Sequence, residues 1–142
     1  MAVKRVCIIG AGSSGLAALR ELHGRGFAIE CFEKGTGVGG TWRYENDSGA
    51  SAAYMSLRTN VSRARMQYPS FPMPARYGDY VHHRDMAAYL DAYADAFGLR
   101  RLIRFSANVA SVEPETGGGW RVRLHDGWTA SYDAVVVANG HD

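Results

Sequence analysis

Hydrophobic residues follow two different patterns in the first part of the chain. Arg5–Ile9 (RVCII) and Ala28–Phe32 (AIECF) are mainly apolar runs, as in strands that are covered on both faces. Between them, Leu16, Leu19 and Leu22 recur near the spacing of one helical face. The pattern predicts a strand, a helix and a second strand. This is the order of a βαβ unit, whose right-handed crossover makes the two strands parallel.

The segment 35–84 shows neither period. A segment this long without secondary structure is usually functional or disordered, and its many tyrosine, tryptophan and phenylalanine residues argue against disorder. Helical spacing returns in 84–98 (RDMAAYLDAYADAFG), where Met86, Tyr89 and Tyr93 share one face. Gly98 is predicted to end this second helix.

The last third of the chain predicts short strands. The runs IRFSANVASVEP, GWRVRLHDG and WTASY are separated by glycine-containing turns, a pattern typical of a β-meander. The run 134–138 is continuously apolar and predicts another buried strand of the parallel sheet. We therefore predict an α/β, Rossmann-like fold with three ββα layers: a small antiparallel meander, a parallel sheet and helices.

Composition narrows the class of protein. The chain has 142 residues, of which 46% are hydrophobic and 21% charged, as expected for one globular domain. A net charge of +2 is too small for a nucleic-acid partner. The amino-terminal apolar run is shorter than a signal peptide or a membrane span, so we expect no membrane association and a cytoplasmic location.

Cysteine and histidine residues predict no metal site. Cys7 and Cys31 lie within predicted strands without CxxC spacing, and we expect both to be buried free thiols. His82 and His83 are adjacent in sequence, so their side chains should diverge. Surface or helix-capping roles are favoured for them over metal ligation.

A glycine-rich motif, GAGSSG, lies between the first predicted strand and the first predicted helix. In this context GxGxxG indicates a tight turn that brings a diphosphate to the positive end of the helix. A carboxylate ends the second strand, where it would accept hydrogen bonds from ribose hydroxyls and repel a 2′-phosphate, which predicts FAD or NAD rather than NADP. The lysine beside it either contacts the cofactor or is a solvated charge. These candidate cofactor-binding residues are Gly10, Ala11, Gly12, Ser13, Ser14, Gly15, Glu33 and Lys34.

Four other stretches carry a resemblance to a known family: GGTW at 39–42, YMSLRTNVSRARMQYPSFPMP at 54–74, HHRDMAAYLDAYADAFGL at 82–99 and VVVANGHD at 135–142. With the glycine motif, they make the chain similar to the flavin-containing monooxygenases over essentially its whole length. The resemblance implies an FAD-binding domain in which the segment after the second strand folds over the flavin. It assigns FAD contacts to Gly40, Thr41 and Trp42, and positions beside the flavin and bound NADPH to Thr59, Asn60 and Val61.

Asn60 is the candidate catalytic residue that the resemblance implies, because its amide can both donate and accept hydrogen bonds and support a flavin peroxide. The alternative is a turn residue that bonds its own backbone. Members of this family reduce FAD with NADPH and transfer one oxygen atom to the nitrogen, sulfur or carbonyl group of a small molecule. NADPH and FAD are therefore the expected cofactors.

The family's second nucleotide motif and its linker motif have no match in this sequence. We therefore expect residues 1–142 to be the FAD-binding domain of a monooxygenase, with the NADPH-binding domain outside them. They are then the amino-terminal portion of the enzyme, as a fragment or as one piece of a split enzyme whose fold a second chain or self-association would complete. Two alternatives stay open, namely a standalone dinucleotide-binding module without turnover and part of a Baeyer–Villiger monooxygenase. PSFPMP favours the nitrogen- and sulfur-oxidising branch over the ketone-oxidising one.

Overall fold

A computed structural model describes residues 4–141 of the chain. The strands in this span are β1 Arg5–Ile9, β2 Ala28–Phe32, β3 Ile103–Arg104, β4 Val109–Pro114, β5 Trp120–Leu124, β6 Thr129–Tyr132 and β7 Ala134–Val137. The helices are α1 Ser13–Gly24, α2 Arg63–Met66 and α3 His83–Ala96, with 3-10 turns at Gly40–Trp42, Ala75–Tyr77 and Arg100–Leu102. Within residues 4–141, none of the helices has the length and apolar content needed to cross a bilayer.

The predicted strand, helix and strand form as expected. Strands β1 and β2 pair in parallel, with Arg5 opposite Ala28 and Ile9 opposite Phe32, and α1 connects them. The full order of the parallel sheet is β3-β2-β1-β7. Strands β4, β5 and β6 form a separate antiparallel sheet in that order, so the predicted α/β architecture with a small meander is confirmed.

The three layers follow from the alternation of side chains along the central strands. Ile8 and Cys31 point into the core formed with α1 and α3. Their neighbours Cys7 and Phe32 point to the opposite face, where they pack against the antiparallel sheet. The parallel sheet is therefore buried on both faces, which explains why its sequence reads as continuous apolar runs.

One predicted strand is wrong. The run IRFSANVASVEP is not a single strand of the meander, because it divides at Ser106, where the backbone φ is +51°. Ile103 pairs in parallel with Cys31 and belongs to the central sheet, whereas β4 pairs antiparallel with β5. The third parallel strand of an ordinary dinucleotide-binding fold is therefore present, but it follows only after the long irregular segment and α3.

The last strand lies in the predicted parallel sheet, but it is more exposed than its continuous apolar run indicates. Strand β7 pairs in parallel with β1, with Val137 opposite Ile9. It lies at the edge of the sheet, and the Val137 side chain is 66% exposed. A continuous apolar run could not distinguish a central strand from an edge strand.

Cys7 and Cys31 are free, fully buried thiols, as predicted. Burial raises the pKa of each thiol to about 12, and the carboxylates of Glu30 and Glu33 act in the same direction on Cys7 and Cys31 respectively. Both groups are therefore neutral at physiological pH, and reactive chemistry requires the thiolate. The two cysteines serve as small apolar residues of the two cores.

Two glycines of α1 provide a matched test of the packing of this helix. A Cβ atom on Gly15 would lie 1.8 Å from the carbonyl oxygen of Gly10, whereas a Cβ on Gly24 would meet nothing within 4 Å. We expect Gly15→Ala to lower the free energy of unfolding by about 1–3 kcal/mol or more, since backbone must move. Gly24→Ala should raise it by up to about 1 kcal/mol through helix propensity. Urea unfolding measures both changes, and equal stabilities would contradict this packing.

Candidate functional site

The glycine motif forms a tight turn between β1 and α1. Gly10 has a φ of +101°, and a Cβ atom there would lie 2.3 Å from the carbonyl oxygen of Ala138, the residue that follows β7. The Gly10 amide also donates to the carbonyl of Phe32 at 2.8 Å. Glycine is required at this position because both the conformation and the lack of space exclude a side chain.

The amino-terminal end of α1 is open. Gly12 is the N-cap residue, no side chain caps the helix, and its first turn contains no acidic residue. The side chains of Ser13 and Ser14 are exposed. Unpaired amides and the positive end of the helix dipole attract an anionic group, so this turn fits a diphosphate.

The Gly40–Trp42 turn lies directly on the glycine motif. The Gly39 amide donates to the Ala11 carbonyl at 3.0 Å. A Cβ atom on Gly40, whose φ is +54°, would lie 3.2 Å from the Cα of Gly12. The two backbones are therefore in contact, and the irregular segment reaches the opening of the candidate diphosphate site.

Residues that the sequence analysis missed hold this turn in place. The Asn46 side-chain amide donates to the Gly40 carbonyl at 2.9 Å and accepts from the Ser48 amide at 3.0 Å. Asp47 accepts from the Thr36 amide and hydroxyl at 3.0 and 2.6 Å, which lowers the pKa of the Asp47 carboxyl. The turn-forming sequence NDSG was the available signal for these contacts.

Glu33 joins the two loops of the site. Its carboxylate is buried and accepts from the Ala11 amide at 3.0 Å through Oε1 and from the Gly35 amide at 2.6 Å through Oε2. An ionised carboxylate has about four acceptor positions, so these bonds leave acceptor capacity for a ribose. The neighbouring Lys34 is exposed, and no hydrogen bond of its side chain is found within residues 4–141.

Thr41 and Trp42 differ in their surroundings. Thr41 is exposed, and its hydroxyl accepts from the Ala52 amide at 3.4 Å. Trp42 is half-buried and packs against the core that includes α3. The turn therefore presents a hydroxyl group to solvent, while the indole ring anchors it to the helix.

The Thr59–Val61 turn is built by the buried threonine. The Thr59 hydroxyl donates to the Val61 carbonyl at 2.8 Å and accepts from the Val81 amide at 2.9 Å. These bonds span Asn60, whose side chain is exposed. Within residues 4–141, no hydrogen bond joins this turn to the glycine motif, so the structure places it in a separate loop anchored before α3.

A pocket of about 250 Å³ lies beside the open end of α1, below the range of about 300–1,000 Å³ for typical ligand sites. The Tyr68 hydroxyl donates to the Ser13 carbonyl, and burial raises the pKa of Tyr68. This tyrosine, which the sequence analysis did not select, connects the irregular segment to the start of α1. The pocket is lined by Ser13, Ser14, Ala17, Met66, Tyr68, Met86, Tyr89 and Leu90.

His82 and His83 have structural partners. The His82 ring accepts a hydrogen bond from the Arg84 amide at 3.2 Å and caps α3. Capping is one of the two roles expected for this histidine. His83 is buried and contacts the Met55 carbonyl at 3.0 Å through Nε2. The expectation that the two side chains diverge is wrong, because their ring centroids lie 4.3 Å apart. Residues 4–141 contain no group of three or more potential metal ligands.

The sequence matches the family described as flavin-binding monooxygenase-like over residues 3–142. The chain belongs to this family. The match includes the glycine motif, Glu33 and both loops of the candidate site, as the resemblance implied.

Individual proteins similar to this flavin-binding monooxygenase-like chain support the same family assignment. It is 38% identical to the flavin-containing monooxygenase FMO GS-OX3 of Arabidopsis thaliana, over 97% of this chain and 35% of that protein. The structure of S-allyl-L-cysteine S-oxygenase from Allium sativum is similar with a TM-score of 0.88 and 32% identity, over 99% of this chain and 37% of that one. Oxidized steroid monooxygenase bound to NADP is similar with a TM-score of 0.81 and 32% identity, over 98% and 26%.

This family member thus spans about a third of the length of the relatives it matches. The shared part carries the glycine motif and both loops of the candidate site. The fold is the one found in flavin monooxygenases, which confirms the predicted Rossmann-like class.

The Glu33 contacts lead to a stability prediction in the absence of any cofactor. Glu33→Gln replaces one acceptor oxygen by an NH₂ group, so one of the amides of Ala11 and Gly35 faces a donor. We expect a loss of about 1.5–3 kcal/mol in the free energy of unfolding, the contribution of a charge-assisted hydrogen bond. Glu21→Gln on the exposed face of α1 is the control and should change stability by less than about 0.5 kcal/mol. Equal urea midpoints for the two variants would contradict the contacts.

Proposed function

We propose that this chain is the FAD-binding portion of a flavin-dependent monooxygenase that uses NADPH and oxygen to oxygenate a soft nitrogen or sulfur atom of a small molecule. One observation carries the proposal: the Gly40–Trp42 turn lies on the glycine motif through the 3.0 Å bond from Gly39 to Ala11. In this arrangement a nucleotide diphosphate and the ring attached to it would be held by adjacent loops. Membership of the family supports the same conclusion.

The glycine motif and Glu33 are proposed to hold the adenosine diphosphate half of FAD. The open, uncapped start of α1 offers amides to the diphosphate. The remaining acceptor positions of Glu33 would receive the ribose hydroxyls, and its charge disfavours a 2′-phosphate. Gly10 and Gly15 keep this turn free of side chains, and Ser13 and Ser14 flank it. Lys34 is exposed near the ribose and is assigned a minor contact.

The two loops that follow are proposed to hold the flavin half. Bound FAD would supply the redox chemistry, including acceptance of a hydride and activation of oxygen. Gly40 allows close backbone approach, Thr41 offers a hydroxyl group, and Trp42 gives the turn a rigid anchor. Asn60 and Val61 are exposed on a turn fixed by Thr59. The Asn60 amide is therefore available to hydrogen-bond the reacting group.

Sulfur is the preferred substrate atom. The TM-score is 0.88 for S-allyl-L-cysteine S-oxygenase and 0.81 for steroid monooxygenase, at the same 32% identity. Cyclohexanone monooxygenase is a more distant structural neighbour, at 26% identity. A Baeyer–Villiger reaction stays the alternative, and a thioether and a cyclic ketone offered to the NADPH-dependent enzyme distinguish the two reactions.

The main NADPH site is proposed to lie outside these residues, because GAGSSG, the GxGxxG stretch between β1 and α1, is assigned to FAD. The other GxGxxG match, GTGVGG at 35–40, leads into the Gly40–Trp42 turn instead of an α-helix. Residues 1–142 would then form one FAD-binding domain. A continuation of the polypeptide, a second chain or self-association would supply the NADPH site, and the location is proposed to be cytoplasmic. If the chain binds nucleotide without retaining flavin, the standalone dinucleotide-binding module is correct instead.

Titration with FAD and with ADP tests the nucleotide assignment. We expect the chain to bind both ligands, and Glu33→Gln to weaken both affinities by about ten- to a hundredfold, which corresponds to a charge-assisted hydrogen bond. Glu21→Gln, with the same change of charge, should leave both affinities unchanged. Flavin fluorescence and calorimetry give the constants. Unchanged affinity in Glu33→Gln would remove the assignment of the ribose contact.

A second experiment tests Asn60. Asn60→Ala should retain FAD within about twofold of the wild-type affinity, because an exposed amide contributes little to binding. The substitution should instead change the rate at which the chemically reduced, FAD-loaded chain reacts with oxygen. Stopped-flow absorbance measures this rate. Ser56→Ala, an exposed change in the same loop, is the control. If the oxygen reaction of Asn60→Ala matches that of the control, the assigned role is incorrect.

A further inference from the structure

Arg43, which belongs to none of the motifs above, closes the loop that contains the Gly40–Trp42 turn. Its Nε donates to the Val38 carbonyl at 2.9 Å, on the other side of the turn. Its Nη2 lies 3.1 and 3.2 Å from the two carboxylate oxygens of Asp91 on α3. One guanidinium group therefore binds the start of the loop and the helix beneath it.

The guanidinium group of Arg43 packs closely against Gly37. A Cβ atom on Gly37 would lie 2.9 Å from the Arg43 Cζ, so the flat group lies against the bare Gly37 backbone. The Arg43 amide donates to the Gly40 carbonyl at 3.2 Å and ends the 3-10 turn. Both the backbone and the side chain of Arg43 thus hold the segment from Gly37 to Trp42.

Asp91 is held by a second cation. Arg100 donates to Asp91 at 3.0 Å through Nη2 and to Asp95 at 2.6 Å through Nε. The side chains of Arg43 and Asp91 are 33% and 36% exposed, so solvent screens their attraction only in part. Because Arg100 fixes the Asp91 carboxylate, Asp91 offers Arg43 an acceptor of defined position on a rigid helix.

We propose that Arg43 and Asp91 are positioning residues that hold the Gly40–Trp42 turn at the glycine motif and so determine the affinity for the flavin half of FAD. This inference rests on the proposed function, in which the Gly40–Trp42 turn holds the flavin half of FAD. Neither charged group needs to touch the cofactor. Loss of the pair would release the turn from α3 while the Gly10–Gly15 turn and Glu33 keep their own contacts.

Arginine suits this position better than lysine. The guanidinium has donors in a fixed, planar arrangement, so Nε and Nη2 can bind the Val38 carbonyl and the Asp91 carboxylate at the same time. A single ammonium group at the end of a flexible side chain has no such fixed pair of directions. Arg43→Lys therefore keeps the charge but should not restore the geometry.

The ratio of FAD affinity to ADP affinity distinguishes positioning from a general structural role. ADP contains the part of FAD assigned to the glycine motif and Glu33, whereas only FAD reaches the Gly40–Trp42 turn. In the 142-residue chain, we expect Arg43→Ala, Arg43→Lys and Asp91→Asn to weaken FAD binding by about tenfold, the effect of one charged hydrogen bond. ADP binding should change by less than about twofold.

Asp95→Asn is the matched control, because Asp95 lies one turn further along α3 and contacts Arg100 rather than Arg43. It should leave the FAD to ADP ratio at the wild-type value. Variants that weaken both ligands equally, or neither, overturn this inference and leave the proposed function intact. A wild-type chain that binds neither ligand, or binds ADP as tightly as FAD, overturns both. ADP affinity also reports whether each variant is folded.

Discussion

The contact between two glycine backbones, at Gly12 and Gly40, is the constraint on which the candidate site depends. It brings a segment without regular secondary structure onto the start of α1, so close that a Cβ atom on Gly40 would lie 3.2 Å from the Gly12 Cα. The hydrogen bond from Gly39 to Ala11 fixes the relative position of the two backbones. A cofactor that extends from the diphosphate turn would therefore meet the second loop immediately.

Two features of opposite polarity lie near this contact: the positive end of the α1 dipole and the carboxylate of Glu33. The start of α1 has exposed amides and no acidic residue in its first turn, so it favours an anion. Glu33 is buried nearby, but its charge is compensated by the amides of Ala11 and Gly35. The same carboxylate can therefore organise two loops and still take part in binding. A buried charge with fewer partners would be costly.

The long irregular segment is ordered by contacts with helices rather than by a ladder of its own. The Tyr89 hydroxyl on α3 accepts from the Tyr68 amide and donates to the Phe71 carbonyl, at 2.8 and 2.5 Å. Trp42 packs on the same core, and Tyr68 reaches the carbonyl of Ser13. Contacts with α3 thus hold the irregular segment in place. Strand β3 follows α3 in the chain.

The sequence alone determined the parts of this protein that rest on local patterns. Continuous apolar runs and leucine spacing predicted β1, α1, β2 and α3, and the glycine motif predicted an open helix start, because period and turn chemistry depend on neighbouring residues. Only the tertiary structure placed the Gly40–Trp42 turn on that motif, assigned Ile103 to the central sheet and exposed Val137 at its edge. It also revealed Arg43 and Asp91 as partners. These features depend on contacts between residues far apart in the chain, and no local period records which distant backbone or charge a residue will meet.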